Sequence, residues 1–155
     1  WSADKFQICV NGKAQENCEK KGYWYLDGIK AGDVIEITLD ERVKKVYASS
    51  IVANDSGCAA LQRGPLVYCV EAVDNEGDVL SLAYAEDGEV KAGEFEPELL
   101  NGTVMLRASG YKTRRTDALY AYEKPDRTAC TITAVPYYTW GNRGIGQMRV
   151  WLPER

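Results

Sequence analysis

Asp33-Val34-Ile35-Glu36-Ile37-Thr38-Leu39 places Ile35, Ile37 and Leu39 on one side of an extended chain, with Glu36 and Thr38 on the other. This period-2 alternation marks a half-buried β-strand, and it recurs in both directions along the 155-residue chain. Upstream, Lys5-Phe6-Gln7-Ile8-Cys9-Val10 alternates likewise and runs into Asn11-Gly12, which suits the left-handed backbone of a two-residue hairpin turn. Gly22-Tyr23-Trp24-Tyr25-Leu26-Asp27-Gly28 reads as a short aromatic strand between glycines. Downstream, 43–49, 57–62, 66–72, 79–83, 103–108, 129–135 and 147–152 are strand-like, with Gly, Pro and Asn between them. Strands at this spacing predict an all-β, antiparallel protein of sandwich or jelly-roll type. The best helix candidate, 94–100, is short and interrupted by Pro97, so a turn or one helical turn is expected there. The polar stretch Asp74-Asn75-Glu76-Gly77-Asp78 suggests a boundary, giving two small sandwich units, 1–75 and 76–155. In the second, 86–89 and 91–97 read as exposed loops.

Composition narrows the function. A hydrophobic fraction of 45% with 27% charged residues is that of a globular chain with a real core. The net charge of −4 argues against nucleic acid, which requires a clustered basic surface. Lys112-Thr113-Arg114-Arg115 is too short to supply one and is expected on a solvated loop. No apolar run approaches the ~20 residues that cross a bilayer, so no membrane partner is expected. The chain opens at Trp1 without a methionine, which leaves open what precedes it. There is no histidine, which removes Ser-His-Asp and Cys-His catalysis and histidine metal sites together. Of the five cysteines, Cys69 and Cys130 lie in strand-like stretches and read as small buried hydrophobes. Cys9, Cys18 and Cys58 complete the set, and no pair has Cys-x-x-Cys spacing. A reduced, cytoplasmic setting is the simpler expectation, with one or two disulfides as the alternative.

The candidate binding residues cluster near the C-terminus. Pro136-Tyr137-Tyr138-Thr139-Trp140-Gly141-Asn142-Arg143-Gly144 holds three large rings in four positions, followed by glycines that permit unusual backbone. On structural grounds it is a strand end turning a corner with its rings packed in a core. The alternative is an exposed platform on which Tyr137, Tyr138 and Trp140 stack against a sugar, with Tyr23 and Trp24 as further candidates. Arg143 either satisfies loop carbonyls, the favoured role, or presents its guanidinium to a ligand. Glu71, ending an apolar strand, is expected to be a strand-edge charge facing solvent. Residues 74–78 have some oxygen-ligand character for Ca²⁺ but lack the full spacing of a calcium loop. Arg63-Gly64-Pro65 is a stiff turn, with a buried Arg63 bridging the two units as the alternative. A glycosidase-type carboxylate pair needs a fixed separation that spacing alone does not reveal.

Several of these segments, in order, resemble the C-terminal portion of bacterial β-L-arabinofuranosidases of glycoside hydrolase family 127. They are Val10-Asn11-Gly12, Gly22-Tyr23-Trp24-Tyr25-Leu26, Ala31-Gly32-Asp33, the run from Ala59 through Arg63-Gly64-Pro65-Leu66-Val67-Tyr68 to Glu71, and Ala134-Val135 through Asn142-Arg143-Gly144. The closing Met148-Arg149-Val150-Trp151 matches as well. The resemblance implies a middle β-sandwich followed by a C-terminal β-domain. It also implies an upstream (α/α)6 catalytic barrel, where a cysteine nucleophile sits beside a zinc held by cysteines and a glutamate, with a separate glutamate as acid/base. None of those catalytic residues is matched here, and no cofactor is expected within this chain. The resemblance therefore implies a non-catalytic piece of an enzyme: it would brace the barrel, shape one rim of the cleft or form a homodimer contact. An independent carbohydrate-binding module is the alternative.

Overall fold

The computed structural model describes residues 2, 5–16 and 19–155. Cys18 lies outside the described residues. The chain divides into two compact units, Trp1–Arg42 and Val43–Arg155. The stretch 74–78, where the sequence suggested a boundary, lies inside the second unit, because strands on both sides of it belong to one sheet.

In the first unit, β1 (Gln7–Val10) pairs with β2 (Lys13–Ala14) through the expected hairpin, Asn11 and Gly12 having φ of 49° and 74°. A second hairpin joins β3 (Glu19–Lys20) to β4 (Tyr23–Trp24). The aromatic strand is thus shorter than its sequence suggests. β5 (Ile35–Thr38) lies antiparallel to β1, with Val10 opposite Ile35 and Ile8 opposite Ile37. Two motifs of the resemblance meet here. The Asn11 amide donates to Asp33 Oδ1 at 2.9 Å, and Asn11 Oδ1 accepts the Val34 N–H at 3.0 Å. That same amide bond holds the Asp33 carboxyl below its ordinary range. The opening segment is therefore a strand, but it is not half-buried: Val34, Ile35, Ile37 and Leu39 are all exposed. Ile8, opposite Ile37, is nonetheless buried, so the exposure is confined to the β5 edge of the sheet.

In the second unit, β6 (Val43–Tyr47), β7 (Cys58–Arg63), β8 (Leu66–Glu71), β9 (Leu82–Tyr84), β10 (Val90–Glu96), β11 (Thr103–Thr113), β12 (Arg127–Pro136), β13 (Met148–Arg149) and β14 (Leu152–Pro153) form one nine-stranded sheet. Its path runs β10-β11-β12-β8-β7-β14, with β6 on β7, β9 on β11 and β13 on β8, all antiparallel. β7 and β8 pair only beside their Gly64-Pro65 turn, where Gly64 has φ of 54°. Past it the C-terminal segment takes over, β13 pairing with β8 and β14 with β7, and this places Leu152 in the core. Alternation works as the sequence implies. Leu106 and Ala108 of β11 face Ala134 and Ile132 of β12, and all four are buried with Leu61, Tyr68, Val70, Val79, Leu82 and Tyr84. Gly110 continues that row because a Cβ there would lie 2.5 Å from the Ala83 carbonyl oxygen and collide with Ile132.

Three expectations change. Residues 94–96 end strand β10 rather than starting a helical turn, and the exposed stretch 91–96 is likewise strand, because Lys91, Ala92, Phe95 and Glu96 pair with β11 on either side of a register shift. The turn begins only at Pro97, closed by Leu99 N–H donating to the Glu96 carbonyl. Lys112 and Thr113 extend β11, and the basic cluster is paired rather than merely solvated: Lys112 with Glu76, Arg114 with Asp126 and Arg115 with Asp78. Among the described residues, no helix is long and apolar enough to cross a membrane.

Candidate functional site

β8 ends at Glu71, and β12 ends at Pro136 beside it, with Val135 opposite Cys69 and Pro136 opposite Tyr68. Asn75 locks the two strands together. Its side-chain amide donates to the Glu71 carbonyl at 2.8 Å and the Thr133 carbonyl at 2.9 Å, and its Oδ1 accepts the Thr133 N–H at 3.0 Å. A buried asparagine thus continues the ladder where backbone pairing stops, satisfying groups that would be expensive to leave unpaired.

After Pro136 the chain makes one 3₁₀ turn, Tyr137–Thr139, closed by Trp140 N–H on the Tyr137 carbonyl. The Thr139 hydroxyl donates to the Pro136 carbonyl at 2.6 Å, and the Asn142 amide to the Thr139 carbonyl at 2.9 Å. Gly141 and Gly144 adopt φ of 78° and 116°, values open mainly to glycine. The loop then returns, and Arg143 reaches back under it. Nη2 donates to Glu71 Oε2 at 2.6 Å and to Asp74 Oδ2 at 2.5 Å, while Nη1 donates to Asp74 Oδ1 at 2.7 Å. Glu71 Oε1 accepts the Gly141 N–H at 3.1 Å. The side chains of Arg143 and Glu71 are only 18% and 7% exposed, so this is a largely desolvated ion cluster with bidentate geometry. The Asp74 bond is the largest reason the guanidinium is held even more firmly protonated than usual.

Glu71 is therefore not the solvent-facing strand-edge charge its position suggested. It is buried because Arg143, 72 residues away in sequence, arrives to neutralise it. Nor does Arg143 serve loop carbonyls; it bonds two carboxylates. The aromatic rings also depart from expectation. Tyr137, Tyr138 and Trp140 are exposed instead of packed in a core, with Tyr137 and Trp140 stacked at 6.1 Å between centroids and 22° between planes. Tyr23 is exposed, while Trp24 packs edge-on against Phe6 at 4.9 Å.

Chemically, the cluster holds a loop. Glu71 and Asp74 share one guanidinium, so neither is free to serve as an acid or base of a two-carboxylate glycosidase. Cys69 is fully buried, and burial first, then the Glu71 charge, pushes its thiol up to about 12, the opposite of what a nucleophile needs. Cys9, Cys58, Cys69 and Cys130 are free thiols, and Cys130 is only partly buried. The carboxylates of 74–78 are engaged by Arg143, Lys112 and Arg115. Among the described residues, no group of three or more Cys, Asp or Glu side chains is placed to hold a metal.

Comparison with known proteins agrees with the fold. The model of the glycoside hydrolase family 127 C-terminal domain matches residues 43–153, starting where the second unit starts. A non-reducing end β-L-arabinofuranosidase of Bifidobacterium longum subsp. longum is 42% identical across 97% of this chain, which covers 24% of that protein. Among solved structures, a GH127 β-L-arabinofuranosidase from Geobacillus stearothermophilus T6 matches with a TM-score of 0.86 at 34% identity, over 97% of this chain and 24% of that one. A second GH127 β-arabinofuranosidase matches with a TM-score of 0.85 at 34% identity, over 97% and 23%. The chain spans about a quarter of the length of these relatives.

Proposed function

The chain belongs to glycoside hydrolase family 127, and from that premise we propose that it is the non-catalytic C-terminal β-region of a β-L-arabinofuranosidase-like enzyme. Its role is to support a catalytic barrel that precedes it in the same polypeptide. The observation that carries this role is the row of exposed apolar side chains on one side of β5, Ile35, Ile37 and Leu39. Such a face on a small sheet suits burial against another layer. The Arg143 cluster supports the same role, since it spends the buried charges on rigidity. Zinc chemistry belongs to the upstream domain, and homodimerisation is compatible with the role.

The test is to express the whole polypeptide with and without residues 1–155 and to assay an aryl β-L-arabinofuranoside. The 155-residue chain alone is expected to show no turnover, and the truncated polypeptide to lose thermal stability and activity together. An unchanged truncated enzyme would contradict the supporting role.

Sugar binding by the exposed loop is a second reading, favoured by the stacked Tyr137 and Trp140. Titration of the chain with arabinose and arabino-oligosaccharides, followed by tryptophan fluorescence, decides it. No change at millimolar sugar removes it.

A further inference from the structure

The second unit carries another exposed apolar feature, at the far end of its longest strands. β11 and β12 form a hairpin whose connection, Arg114 to Asp126, contains no helix or strand. Connections of this length are uncommon in compact domains and are often functional. Its base is fastened. Arg114 N–H donates to the Asp126 carbonyl at 2.9 Å, and Arg115 makes a two-point ion pair with Asp78. Lys112 pairs with Glu76 two residue pairs further in. Its tip is bare: Leu119 is 91% and Tyr120 93% exposed, and Tyr122 is wholly so. The two tyrosines on a fixed stem are of the residue type enriched in interaction hot spots, and Leu119 adds apolar surface beside them.

We propose that Leu119, Tyr120 and Tyr122 form a docking knob for the part of the same polypeptide that precedes residue 1. This rests on the supporting role proposed above and names a surface for it. The amount of surface decides the occupant. The two tyrosines bury about 300–500 Å² between them, and one leucine does not raise that to the ~800 Å² per partner of a stable association between separate molecules. A contact of that size is sufficient when the partner is covalently attached, because the linkage supplies the effective concentration. The chain covers only about a quarter of its relatives, so an attached partner of ample size is at hand. The tip also lies ten residues of β12 away from the Tyr137 loop, so the knob is a contact distinct from that loop.

The test places a photo-cross-linker in the whole polypeptide, as Tyr120→p-benzoylphenylalanine, with Ile37→p-benzoylphenylalanine as a separate variant. Both sites are exposed, so neither change disturbs the core. The result expected at position 120 is a cross-link within one polypeptide to a peptide N-terminal to residue 1. A product of doubled mass at position 120 would show a second copy in that place and overturn the proposal. So would no cross-link, or one confined to residues 1–155, with position 37 still reaching the upstream peptide. If neither position reaches upstream, the supporting role itself has failed. As a second readout, the Tyr120→Ser/Tyr122→Ser double variant should lower the melting temperature of the whole polypeptide by several degrees and leave that of the 155-residue chain unchanged. An equal loss in both would assign the knob a role within its own unit and overturn the proposal.

Discussion

Replacing Arg143 by methionine tests whether the ion cluster holds the aromatic loop. The substitution keeps a long apolar stem but removes three short charge-assisted bonds, leaving Glu71 buried with the Gly141 N–H as its remaining side-chain partner. Breaking a buried pair by removing one partner costs ~3–5 kcal/mol, because a charge is left uncompensated. Arg143 is 18% exposed and Asp74 15%, so the low end, about 3 kcal/mol, is expected. For a unit of roughly this size that corresponds to a fall in melting temperature of about 12 °C. Urea denaturation followed by near-ultraviolet circular dichroism reads both the stability and the environment of Tyr137 and Trp140. Neutralising the abandoned carboxylates as well, in Arg143→Met/Glu71→Gln/Asp74→Asn, should recover more than half the loss, since removing a whole buried ion cluster is far cheaper than breaking it. A loss below about 1 kcal/mol for Arg143→Met, or a triple variant no better than the single one, would refute the assignment of the cluster as the clamp of the loop.

Gly110→Ala should destabilise the second unit by at least ~1–3 kcal/mol in chemical denaturation, because the new methyl meets Ile132 and the Ala83 carbonyl and the backbone cannot yield. Cys69 should resist iodoacetamide at pH 8.5 under native conditions while Cys9 and Cys58 are modified, as peptide mass mapping would show. With its thiol at about 12, only about one molecule in three thousand carries the thiolate there, and that one is buried. The Glu76 carboxyl is held below its ordinary range by Lys112, so this pair contributes above the unfolded carboxyl's pKa and is lost as pH falls through the lowered folded value. Lys112→Met should return Glu76 to the ordinary carboxylate range in an NMR titration; an unmoved Glu76 would show that Lys112 is not the cause.

Much of the fold was legible because the alternation is local. The strands that hold Leu106, Ala108, Ile132 and Ala134 were read from the sequence, while their pairing came from the structure. The strand at Ile35–Thr38 follows from period 2, and the Asn11-Gly12 turn from the left-handed preference of that pair. What the alternation did not reveal was whether the apolar face of that strand is covered, because covering depends on a layer elsewhere. The β10 strand was hidden by residues with weak strand preference, Glu94 and Glu96: Glu96 pairs with Thr103 of β11, while Glu94 lies in an irregularity between Ala92 and Phe95. The candidate site divides similarly. Tyr137, Tyr138, Trp140 and Arg143 were found together because they are neighbours in sequence. Their organisation depends on Glu71, Asp74 and Asn75, about seventy residues distant, and no spacing rule links them. One signal was present: Glu71 ends an otherwise apolar strand, and an acid so placed is either at an edge or paired. Sequence alone favoured the edge, and the fold supplied the partner.

Everything proposed for this chain depends on its being the C-terminal quarter of a larger enzyme. The most direct measurement is the mass of the native polypeptide that carries it, taken with an antibody against residues 43–153 in extracts of the source cells. The expected band is about four times 17.3 kDa, the ratio set by the relatives it matches. A native band at 17.3 kDa itself would leave no catalytic domain to support, and would contradict both the supporting role and the docking knob.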